Sequence, residues 1–60
     1  MFTTGKQVEI KPAFDSFGDE IDNLGRCVAY IIEYLGWDTY RVRLKGTDEE
    51  WDLWQGRLRI

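Results

Sequence analysis

Apolar and polar positions alternate with a period of two in four short stretches of the chain, and a fifth stretch is apolar on both faces. In Gln7 to Lys11, Val8 and Ile10 share one face, and Pro12, which has no amide to donate, ends the ladder. Arg26 to Leu35 is rich in β-branched and aromatic residues and stops at Gly36, so it predicts a long strand buried on two sides or bent between two sheets. From Thr39 to Lys45, Tyr40, Val42 and Leu44 face one way while Arg41, Arg43 and Lys45 face the other. Glu50 to Trp54 repeats the alternation with Trp51 and Leu53 inward, and Arg57 to Ile60 adds a last strand with Leu58 and Ile60 inward.

A four-residue turn over Gly46-Thr47-Asp48-Glu49 joins the third and fourth strands in this reading. It sets Lys45 opposite Glu50, Arg43 opposite Asp52 and Arg41 opposite Trp54, with Leu44 on Trp51 and Val42 on Leu53. A slip by one residue would turn Trp51 and Leu53 to the wrong face. Between Ala13 and Gly25 the chain carries two glycines, Asn23 and the acidic cluster Asp15, Asp19, Glu20 and Asp22, with Phe14, Phe17, Ile21 and Leu24 as scattered apolar anchors. A long loop is expected there, or a brief helix over Asp19 to Leu24 between the two glycines.

Five short strands, a long first loop and two tight hairpins predict one all-β domain over residues 1–60, a five-stranded small barrel of two orthogonal sheets. Three segments, Gly5-Lys6-Gln7-Val8-Glu9-Ile10, Leu24-Gly25-Arg26-Cys27-Val28 and Tyr40-Arg41-Val42-Arg43-Leu44, resemble the G-x-x-V-x-I, G-x-x-V and y-x-V-x-l pattern of bacterial SH3-like barrels. That group includes KOW-type and Tudor-like modules and accessory barrels of electron-transport complexes such as photosystem I reaction-centre subunit IV. The resemblance covers nearly the whole chain and implies the fold.

Composition narrows the function. A chain of 60 residues, 43% hydrophobic and with nine aromatic rings, has material for one core. A domain this small buries only about 60% of its unfolded surface, so a large catalytic pocket would consume the interior that stability needs. There is no histidine, Cys27 is the lone cysteine, and no hydroxyl has a base beside it, so no catalytic residues, metal ligands or cofactor site are assigned. Asp15, Asp19 and Asp22 lack the ligand spacing and fixed glycine of a calcium loop. The longest apolar run, Cys27 to Ile32, is far short of a membrane span, and no signal peptide opens the chain. These features lead us to expect a reduced, cytoplasmic protein, and the start at Met1 reads as a small complete bacterial or phage reading frame.

A net charge of −3 argues against broad binding to phosphate backbones. The stripe Arg41, Arg43 and Lys45 supports an alternative, a KOW-like nucleic-acid-binding barrel, although Glu50 and Asp52 are expected to neutralise much of it. In SH3-like barrels the first loop and the turn after the second strand flank a groove floored by the segment before the last strand. Here the resemblance places Phe14 and Phe17, Trp37, and Trp54 on those three pieces, with Asp19, Glu20 and Asp22 beside them. Rings next to carboxylates suit a basic or Arg-containing surface of another protein. The opposing reading is structural, with Phe14 and Phe17 pinning the loop and Trp54 covering Arg41. The Tyr-rich, paired-Trp and Pro-x-x-Tyr motifs of proline-binding members are missing, and a methyl-lysine cage would have only Tyr34, Trp37 and Tyr40 to draw on. The sequence thus points to a non-catalytic protein-binding accessory or regulatory module, with homo-oligomerisation through an exposed edge strand as a further expectation.

Overall fold

Val8 and Ile10 are buried on the inner face of β1 (Gln7–Ile10), as their alternation requires. The computed structural model describes residues 2–60 and continues with β2 (Val28–Gly36), β3 (Thr39–Leu44), β4 (Glu50–Trp54), a 3-10 turn (Gln55–Arg57) and β5 (Leu58–Arg59). All pairings are antiparallel in one five-stranded sheet of order β4-β3-β2-β1-β5. β4 and β5 are its edges and do not pair with each other, so the sheet is not closed. No helix among the described residues is long and apolar enough to cross a membrane.

Ten side chains form the core: Val8, Ile10, Leu24, Ala29, Ile31, Tyr40, Val42, Leu44, Leu53 and Leu58. Each large aliphatic one contributes about 1.5–3 kcal/mol when fully withdrawn from water. Tyr40 is the largest fully buried residue, and its hydroxyl accepts a hydrogen bond from the Phe2 amide at 3.0 Å while the two rings meet edge to face at 5.4 Å. Chain pairing begins ahead of β1, because Gly5 N–H donates to the Ile31 carbonyl and Ile31 N–H to that of Lys6.

β2 is irregular where the sequence is apolar on both faces. Its register against β3 shifts between Ile31 and Glu33 and again between Tyr34 and Gly36, leaving Ile32 and Leu35 as extra residues. Such bulges bend a strand and increase its twist. Only Ala29 and Ile31 are buried in β2, so the strand is core at its start and surface at its end.

Three expectations need correction. The β3–β4 register lies two residues from the one expected: Arg43 faces Glu50, Arg41 faces Asp52, Val42 faces Trp51 and Thr39 faces Trp54. The turn chemistry is the reason. Leu44 N–H donates to the Glu49 carbonyl, Thr47 Oγ1 accepts from Glu49 N–H, and Gly46 adopts φ +84°, so the four-residue turn is Lys45 to Asp48. Trp51, expected in the core, keeps the inward phase but is 39% exposed, because no strand lies beyond β4 to cover it. Ile60, expected inward, is 85% exposed, since β5 ends at Arg59.

The first loop contains no helix. It doubles back on itself through the Phe14–Glu20 bridge, with Asp15 N–H donating to the Asp19 carbonyl and Ile21 N–H to that of Ala13. At the tip, Asp15 Oδ1 accepts from the amides of Phe17 and Asp19, the local capping for which Asp is suited in turns.

Candidate aromatic surface at the loop end

The 3-10 turn ties two distant segments together. Gln55 N–H donates to the Asp38 carbonyl in the β2–β3 turn at 2.7 Å. At its other end, Lys11 N–H donates to the Arg57 carbonyl at 2.6 Å, and Arg57 Nε donates to the Lys11 carbonyl at 2.9 Å. Nη1 and Nη2 of the same guanidinium reach Asp22 Oδ2 and Oδ1 at 3.1 and 3.2 Å. The β2–β3 turn and the first loop are therefore each fastened to the segment before β5.

Trp54 leads into this turn. Its ring fills the place where a Gly56 side chain would sit, since a Cβ there would fall 2.1 to 2.5 Å from three ring carbons. Across the ladder Trp54 faces Thr39 and not Arg41, which lies opposite Asp52. The glycine at 56 thus admits the close approach of the indole, a role that only the folded chain reveals.

Trp37 occupies the two-residue turn between the paired Gly36 and Thr39. Trp37 and Asp38 both have φ 56°, the left-handed pair of a type I′ hairpin that Asn-Gly satisfies most readily. A left-handed bulky residue is strained by about 1–2 kcal/mol. Burial does not offset this, because the indole is 96% exposed. Hydrogen bonds hold the turn: Asp38 N–H donates to the Tyr34 hydroxyl and the Thr39 hydroxyl donates to the Trp37 carbonyl, each at 3.2 Å.

Phe14 and Phe17 are also exposed, Phe17 by 88% at the loop tip, so they do not pin the loop. That work falls to buried Leu24 and to Asp22. The Arg57 hydrogen bonds, helped by the Leu24 amide, hold the Asp22 carboxyl below its ordinary value although burial pushes the other way. Asp22 is therefore already engaged within the chain. Asp19 and Glu20 are exposed and, with Asp15 and Asp38, form no ion pair among the described residues.

Among the described residues, Phe14, Phe17, Trp37 and Trp54 make no ring–ring contact with one another, and no pocket or three-residue metal-ligand group is present. These four rings are exposed separately from one another. Tyr34 and Tyr40 do approach, at 5.1 Å, but Tyr40 is buried beneath Phe2 and Trp37 points to solvent, so these three do not make a cage.

The basic stripe is largely consumed. Arg41 bridges Glu33 at 3.2 Å and Asp52 at 3.0 Å, and Arg43 pairs with Glu50 at 2.7 Å. Hydrogen bonding to Asp52 and to Glu50 respectively is the main cause that raises both guanidinium pKa values. Lys45 alone of the three forms no ion pair among the described residues. Comparison with protein-family models, with curated proteins and with solved structures found no match.

Proposed function

We propose that this chain is a non-catalytic binding module with an SH3-like small-barrel architecture, which docks a basic or Arg-bearing surface of another protein at its loop end. The strand order, the 3-10 turn before β5, the bulged β2 and the doubled-back first loop support the architecture. One observation carries the function: Trp37 is held in strained backbone at a hairpin tip with its ring almost wholly in water. Strain without packing benefit marks a position shaped by something other than stability. The partner's cations meet the flat faces of Trp37, Phe17 and Trp54 and the carboxylates of Asp19 and Glu20.

The pairing of Arg41 with Asp52 and of Arg43 with Glu50 weighs against nucleic-acid binding across the strand face. The test is separation of binding from folding. Trp37→Ala and Asp19→Asn should each abolish capture of the native partner while leaving the thermal midpoint nearly unchanged. Parallel loss of folding and capture would refute the site.

A further inference from the structure

β4 is the longer of the two sheet edges, five residues against two in β5. The hydrogen bond from Leu44 N–H to the Glu49 carbonyl sets the phase of the β3–β4 ladder. Trp51 and Leu53, opposite Val42 and Tyr40, turn their backbone groups toward β3. Glu50 and Asp52, opposite Arg43 and Arg41, turn theirs outward, where no strand of this chain receives them.

The two faces of this edge differ in chemistry. On one, Arg41 Nε binds Asp52 Oδ1 and Arg43 binds Glu50 Oε2, while Asp52 Oδ2 and Glu50 Oε1 take no hydrogen bond from the described residues. A carboxylate accepts about four hydrogen bonds, so both retain capacity. Asp48 and Glu49, just before the strand, form no ion pair among the described residues. Asp48, Glu49, Glu50 and Asp52 thus set four acids along this end of the sheet against Arg41, Arg43 and Lys45. On the other face, Trp51 has the phase of the core and is left half-covered.

We propose that the free edge of β4 accepts, by strand addition, an extended segment of another protein in which basic and apolar residues alternate. Its backbone pairs with the outward N–H and C=O groups of Glu50 and Asp52, its cations lie beside their free oxygens, and its apolar side chains cover Trp51. Charge favours this occupant over a second copy of the chain paired about Asp52. Two β4 strands related by a two-fold at Asp52 would oppose Asp52 to Asp52, an unfavourable pair. The acids that repel such a copy attract a basic strand. This edge surface stands independently of the loop rings.

The test uses the full chain, 15N-labelled, and a short capped peptide alternating lysine and valine. Binding should slow hydrogen exchange at the Glu50 and Asp52 amides. N-methylation of every second peptide residue, removing the amides that face β4, should weaken binding by about tenfold or more, the worth of one or two hydrogen bonds. Asp52→Pro, which deletes an outward donor and leaves the β3 ladder in place, should lower affinity similarly while the circular dichroism spectrum stays that of a folded chain. No binding at about 1 mM peptide, or equal affinity for the N-methylated peptide, would overturn the proposal. So would protection of Glu50 and Asp52 that rises with protein concentration without peptide, which would assign the edge to a second copy.

Discussion

Arg57 and Asp22, 35 residues apart, form a two-point ion pair at 3.1 and 3.2 Å, both side chains more than three-quarters buried. With the Lys11 carbonyl on the same guanidinium, this clamp fastens the first loop to the 3-10 turn. Arg57→Ala should cost about 1.5–3 kcal/mol, the range for hydrogen bonds to charged groups, and Lys should not restore it because a point charge cannot span both oxygens. Amide exchange should rise selectively across residues 12–25. The pH dependence has a defined sign. The Asp22 carboxyl is held below its ordinary 3.8, so its contribution is complete above that value and is lost as pH falls through the folded value. Acid titration of stability should therefore show wild type and Asp22→Asn converging below about pH 3.8, measured by urea unfolding.

The β2–β3 turn should be stabilised by the change that disables it. Replacing Trp37-Asp38 by Asn-Gly supplies the residues a type I′ turn prefers, at the φ values already present. Removing the strain should raise stability by about 0.5–2 kcal/mol. Binding at the loop surface should fall in the same variant. A destabilised Asn-Gly protein would show that the indole packs on something in solution.

Gly56→Ala isolates the Trp54 ring. The added methyl collides with the outer ring carbons of an exposed indole, which can swing aside, so the fold should survive with a loss of under about 1 kcal/mol. The indole's new position should shift the Trp54 emission in a Trp37→Phe, Trp51→Phe background. Partner affinity should drop as it does for Trp54→Ala. Unchanged emission would mean that the ring does not rest on Gly56.

Trp51 and Leu53 share the inner face of β4 but differ in cover, and truncation should rank them by burial and not by size. Leu53→Ala should cost about 2–5 kcal/mol, the core range, whereas half-covered Trp51→Ala should cost about 1–2 kcal/mol. Denaturant midpoints of the two variants decide the order. A Trp51→Ala protein less stable than Leu53→Ala would place the indole in the core.

Alternation along the chain was enough to determine the inward faces of β1, β3 and β4 and, with the β-branched run of β2, the all-β class, because side-chain direction in a strand follows from the parity of the residue number alone. Tyr40, Val42, Leu44 and Leu53 were legible in this way, and all four are buried. Parity could not determine the β3–β4 register, since a two-residue shift preserves every face and keeps Arg43 opposite an acid; the turn geometry at Gly46 and Thr47 chose between the alternatives. Nor could it tell an inward residue from a covered one. Trp51 and Leu53 have the same phase, and only the position of β4 at the sheet edge leaves one half in water. The exposure expected of Phe17, Trp37 and Trp54 was readable from their loop and strand-end positions. Engagement of Asp22 by Arg57 and contact of Trp54 with Gly56 were not, and they have one physical cause: each depends on where the 3-10 turn comes to rest, which is decided by packing between segments far apart in the chain.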